Sequence, residues 1–118
     1  MTSNADETIQ LLPGRLEVAS SNGHKKEVRF VKGPGPAVVT FGRNAGASPT
    51  HVQVESPTVS RLHASMRFTE GSWRIQNLSA TNPVMVNGET LQENGNEHVL
   101  NDGDRVEMGD VIFHFWSR

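Results

Sequence analysis

Short stretches in which apolar and polar side chains alternate recur from Arg15 to Ser117, and most are separated by segments rich in glycine, asparagine, aspartate or proline. A period of two puts successive side chains on opposite faces of a strand, so such a stretch buries one face and wets the other. The stretches are 15–20, 27–31, 37–41, 51–54, 63–70 and 72–78, then 85–87, 89–91, 98–100, 104–108 and 111–117. Within 63–70, Ala64, Met66 and Phe68 share one face and Ser65, Arg67 and Thr69 the other, while Trp73 and Ile75 continue the apolar face. In the last stretch His114 sits between Phe113 and Phe115, so it faces solvent opposite a core pair. No window carries the i, i+3, i+4, i+7 apolar stripe of a helix. The separators "SNG", "GPGP", "EG", "NG" and "NDGD" supply the positive-φ positions of tight hairpins. About eleven short strands at this spacing predict an all-β fold, an eleven-stranded antiparallel β-sandwich.

A chain of 118 residues has room for one such core. Residues 1–13 are polar and then "LLP", without a sustained period, and read as a flexible tail; 14–118 form the domain, with the first strand expected from Arg15. Seven aromatic side chains, five Phe and two Trp, are too few both to fill a core and to line an oligonucleotide-binding barrel. A net charge of −2 argues against nucleic acid as the partner, because that affinity comes from broad basic surfaces. Nothing approaches the ~18 apolar residues of a membrane span, and the N-terminus lacks the basic start and apolar core of a signal peptide. A monomeric cytoplasmic protein without a membrane partner is the expectation. The absence of cysteine excludes disulfides and thiolate ligands, and His24, His51, His63, His98 and His114 are too scattered for a metal site. No cofactor is implied.

Chemistry concentrates in "SPTVSRLHASM", residues 56–66. Ser60 and His63 there suggest a nucleophile and its base, but a hydrolase also needs a carboxylate to orient the histidine and donors for the oxyanion. The sequence has no G-x-S-x-G elbow, and its aspartates sit in the tail (Asp6) or in the late turns (Asp102, Asp104, Asp110). An enzyme is not expected. Anion capture by loops suits the residues better: "FGR" ends a strand with Arg43, "SRLH" brings Ser60 and Arg61, and "NLSATNPVMVNG" brings Thr81, Asn82 and Asn87. The loops at one end of a sandwich converge, and rigid scaffolds carry function there.

In order and spacing these pieces resemble the forkhead-associated (FHA) domain. The resemblance rests on Gly42-Arg43, then Ser60-Arg61-Leu62-His63, then Thr81-Asn82 and Asn87-Gly88, and finally "LNDGDRVEMGDVIFHF" at 100–115, and it extends from Arg15 to Trp116. It implies a phosphothreonine-binding module whose partner is a threonine-phosphorylated protein or peptide. Arg43 would then pair with the phosphate, Ser60 would donate its hydroxyl to a phosphate oxygen, and Arg61 would add a second cation or its backbone N–H. Asn82 would hold the peptide backbone, with Thr81 and Asn87 shaping its loop. Gly42, through an unusual backbone before Arg43, and His63, through its ring nitrogens, would be architectural.

One departure is visible: where the family often has Asn-Gly-Thr, this chain has Asn82-Pro83-Val84, which stiffens the loop. The pocket for the third residue after the phosphothreonine would lie near Thr58, Val59 and 81–86. Some small members are switched by phosphorylation of a tail that occupies their own site, and Thr8 in "DETIQLL" is the residue such a switch would use. The competing reading keeps the fold and drops the phosphate: an FHA-like sandwich serving as a constitutive assembly surface.

Overall fold

The structure is a computed structural model that describes residues 10–19, 25–33, 35–46 and 50–118. Eleven strands follow one another: β1 (Gln10–Ala19), β2 (Lys25–Lys32), β3 (Val38–Gly42), β4 (His51–Gln53), β5 (Ala64–Thr69), β6 (Ser72–Asn77), β7 (Met85–Val86), β8 (Glu89–Thr90), β9 (His98–Val99), β10 (Arg105–Met108) and β11 (Val111–Trp116). They build a sandwich of a six-stranded sheet, β2-β1-β11-β10-β7-β8, and a five-stranded sheet, β4-β3-β5-β6-β9. No helix among the described residues is long and apolar enough to cross a membrane.

The period-two pattern sets the inner faces. The six-stranded sheet buries Leu16, Phe30, Val106, Met108, Phe113 and Phe115, and the five-stranded sheet buries Val39, Phe41, Ala64, Met66, Trp73 and Ile75. Each Phe so buried contributes about 1.5–3 kcal/mol over an exposed one. The rings meet across the sandwich, with Phe30 and Trp73 centroids 4.4 Å apart and Phe41 and Phe113 in an edge contact at 6.3 Å. His114 is exposed between its two buried neighbours, as the alternation requires.

Two expectations are corrected. The sandwich is not wholly antiparallel, because β3 and β4 run parallel, pairing Thr40 with His51 and Gly42 with Gln53. Alternation assigns faces and is silent on strand direction, so "HVQV" reads alike in either ladder. The first strand starts at Gln10 rather than Arg15, because Pro13-Gly14 does not stop it. The pairing of β1 with β2 shifts register between Leu11 and Arg15, which makes the pair a bulge within one strand. Gly14 adopts φ +92° there, and a Cβ at that position would lie 2.9 Å from Trp73 Nε1. That nitrogen donates to the Pro13 carbonyl at 2.8 Å, so the bulge docks on an indole of the opposite sheet.

The strands return their connecting segments to one end. Residues 43–46, 54–63 and 78–84, with the tight turn between β10 and β11, provide the candidate site.

Candidate functional site

Backbone contact comes first. Gly42 ends β3 so close to the 60–63 segment that a Cβ would lie 2.0 Å from the Arg61 carbonyl oxygen. Its φ is not in the left-handed region, so the glycine permits a close approach rather than the unusual backbone expected of it. The Arg43 N–H donates to the Ser60 carbonyl at 2.9 Å and the His63 N–H to the Phe41 carbonyl at 2.7 Å, which prolongs the pairing of β3 with β5 into the loops. Arg43 and Arg61 thereby leave adjoining stretches of chain. Behind Arg43, the His51 ring spans its loop: Nδ1 lies 2.7 Å from Thr40 Oγ1, and Nε2 donates to the Asn44 carbonyl at 2.8 Å.

Ser60 and His63 meet, though not as nucleophile and base. The Ser60 main-chain N–H donates to His63 Nδ1 at 2.9 Å, while Ser60 Oγ lies 2.7 Å from Ser79 Oγ. A catalytic base must accept the hydroxyl proton, and here the acceptor nitrogen is occupied by the backbone. Burial pushes the His63 pKa below its ordinary value of 6.5, the Asn82 backbone opposing part of the shift. Nε2 is buried without a hydrogen bond of normal geometry among the described residues. The neutral ring is a brace that fixes the turn around Ser60.

A second brace was not visible in the sequence. Asn77 is buried at the end of β6, with Nδ2 donating to the Ser79 and Leu91 carbonyls and Oδ1 accepting the N–H groups of Ser79 and Val84. Four bonds to one side chain shape the 78–84 loop and present Ser79 to Ser60 and to the Asn82 N–H, 3.3 Å from Ser79 Oγ. Asn82 Nδ2 in turn donates to the Thr58 carbonyl at 2.9 Å, closing the loop onto 56–60. Its Oδ1 has no hydrogen-bond partner among the described residues. Val84, at the departure from the family pattern, is fully buried and packs into the core.

The third brace comes from the turn between β10 and β11. Asp110 Oδ1 accepts the hydroxyls of Ser56 and Thr58, both at 2.6 Å, and the Asp110 N–H donates to Thr58 Oγ1 at 2.9 Å. The Ser56 and then the Thr58 hydroxyl hold the Asp110 carboxyl below its ordinary range. Sequence patterns carried only weak signals for these residues: Asp110 falls in a late turn, Ser56 and Ser79 lie between the alternating stretches, and Asn77 lies within the stretch 72–78.

Between the loops lies an open groove of about 290 Å³. Arg43, Ser60, Arg61, Thr81 and Asn82 line it, joined by Pro57, Thr58 and Val59. Both arginine side chains are exposed, and neither forms an ion pair among the described residues. Among the described residues no carboxylate lines the groove. Asn87 stands apart: at φ 51° it forms the turn between β7 and β8, donating Nδ2 to Asp104 Oδ1 and accepting the Arg105 N–H. Thr8 lies outside the described residues. No group of metal-ligating side chains is present among those described. An uncompensated pair of guanidinium groups, a hydroxyl and an amide around an open cleft suit a multiply charged oxyanion attached to an extended chain.

Comparison with known proteins agrees with this geometry. The family model of the FHA domain matches residues 39–109. The oxoglutarate dehydrogenase inhibitor of Corynebacterium diphtheriae is 35% identical over 91 residues, covering 65% of this chain and 61% of its own length, so the chain spans less than two thirds of that relative. Among solved structures, the FHA domain of CT664 from Chlamydia trachomatis superposes with a TM-score of 0.73 at 18% identity, covering 90% of this chain and 98% of that one. EmbR of Mycobacterium tuberculosis, solved in complex with a low-affinity phosphopeptide, reaches a TM-score of 0.66 at 25% identity, over 90% of this chain and 24% of its own. With the family model matching more than half of its length, the chain belongs to the FHA domain family, whose members are interaction modules and not enzymes.

Proposed function

We propose that the groove binds phosphothreonine in an extended peptide, and that the chain mediates phosphorylation-dependent protein–protein interaction. The observation that carries this reading is the convergence of two ion-pair-free guanidinium groups and the Ser60 hydroxyl on a cleft whose walls are fixed by backbone hydrogen bonds. In this reading Arg43 pairs with the phosphate, Ser60 donates to a phosphate oxygen, and Arg61 adds the second cation. Asn82 holds the peptide main chain with the part of its amide that Thr58 leaves free, and Thr81 closes the wall beside it. Phosphothreonine carries about −1.5 to −2 charges and three acceptor oxygens. Charge-assisted bonds contribute ~1.5–3 kcal/mol each, so two or three supply most of the ~8 kcal/mol of a micromolar complex. The phosphopeptide held by EmbR supports the same ligand class. We place the protein in the cytoplasm as a monomer, with a threonine-phosphorylated protein as its partner.

Titration of a phosphothreonine peptide library against wild type and Arg43→Ala tests this. Binding by the wild type, lost in the variant and in the dephosphorylated library, is expected. Equal binding by Arg43→Ala overturns the phosphate-dependent reading in favour of a constitutive assembly surface.

A further inference from the structure

Ser79 lies beneath the groove and is not among the residues that line it. It is 1% exposed, and its hydroxyl has two neighbours: the Asn82 N–H, 3.3 Å away, and Ser60 Oγ, 2.7 Å away. A serine hydroxyl donates one hydrogen bond and accepts up to two. The Asn82 N–H can only donate, so it uses a lone pair of Ser79 and offers nothing for the Ser79 hydrogen. The sole acceptor in hydrogen-bond reach of that hydrogen among the described residues is Ser60 Oγ. Leaving a buried hydroxyl without an acceptor is costly, so the Ser79 hydrogen points at Ser60. The Ser60 hydrogen must then point elsewhere. Ser60 is half-buried, its Oγ has no further partner among the described residues, and the remaining direction is the groove.

We infer that Ser79 is a positioning residue for anion binding: it fixes Ser60 as a hydrogen-bond donor toward the groove. Donation from Ser79 also polarises the Ser60 hydroxyl, because chained hydrogen bonds strengthen one another. Without this neighbour the Ser60 hydroxyl is free to rotate, and presenting it to a phosphate requires ordering it first. An anion with only acceptor atoms matches a hydroxyl set to donate.

The inference rests on the phosphopeptide reading of the groove and is tested by a double-mutant cycle on the degenerate phosphothreonine library. Ser79→Ala is expected to weaken binding about tenfold in the wild-type background and to change nothing in the Ser60→Ala background, since its effect runs through the Ser60 hydroxyl. Ser79→Cys, close in size but a weak donor, is expected to behave as Ser79→Ala and decides the matter should the alanine variant fail to fold. An equal loss in both backgrounds would show that Ser79 merely holds the Asn82 loop, and undiminished affinity in Ser79→Ala or Ser79→Cys would show that it does nothing for binding; either result overturns the inference alone. A wild type that binds no member of the library overturns the proposed function, and this inference with it.

Discussion

At Gly42 the absence of one atom lets two loops approach. A methyl group added there would stand 2.0 Å from the Arg61 carbonyl oxygen, which belongs to a backbone tied by hydrogen bonds on either side. Gly42→Ala is therefore expected to destabilise the fold by about 1–3 kcal/mol in urea denaturation, in the range of other overpacking changes. It should weaken peptide binding as well, because Arg43 and Ser60 are the flanking residues. His63 makes a prediction of a different kind. Its ring is held neutral below the ordinary value of 6.5, so on acidification the unfolded chain takes up a proton there before the native state does. Proton uptake by the unfolded state favours unfolding, so the stability His63 contributes is complete above about pH 6.5 and falls as pH drops toward the lowered native value. Urea titrations at about pH 7.5 and 5.5 are expected to show a loss of stability on acidification that is smaller in His63→Gln. Gly42, Arg43, Ser60 and His63 were all legible in the sequence because their order and spacing carry the family pattern. Ser79 was not, since a small buried polar side chain leaves no periodic trace.

The 54–63 segment shows how elements share one job. It joins strands of the five-stranded sheet, yet it is held by a turn of the other sheet, through the Asp110 bonds to Ser56 and Thr58. Thr58 passes the constraint on, since its carbonyl anchors Asn82. Removing the carboxylate in Asp110→Ala is expected to lower phosphopeptide affinity about three- to tenfold by isothermal titration, through a looser wall rather than a lost contact, with the far-ultraviolet circular dichroism unchanged. An affinity equal to wild type would separate the turn from the site. The sequence placed Ser56 and Asp110 correctly in loops. It could not pair them, because 54 residues separate the two and no local pattern records such a contact.

Across the whole molecule, the two sheets are joined by side chains that reach over the interface. Trp73 does so most completely: its ring contacts Phe30 and Phe68, and its Nε1–H is bonded to the Pro13 carbonyl in the bulge of β1. In Trp73→Phe the Pro13 carbonyl loses its donor and the smaller ring leaves space beside Gly14. A destabilisation of about 1–3 kcal/mol in thermal or urea denaturation is expected, with phosphopeptide affinity nearly unchanged because the substitution lies away from the groove.

The sequence by itself determined what local chemistry controls. Alternation set the number of strands and the face each buries, turn residues marked most of their ends, and a few polar loop residues named five of the eight that line the groove. The tertiary structure alone decided what depends on pairing between distant segments. It set the parallel match of β3 with β4, the continuation of β1 through Pro13-Gly14, the packing of Gly42 on Arg61, and the meeting of the Ser60 and Ser79 hydroxyls. Periodicity reports which face a side chain takes, whereas the partner it meets is set by the packing of one sheet against the other.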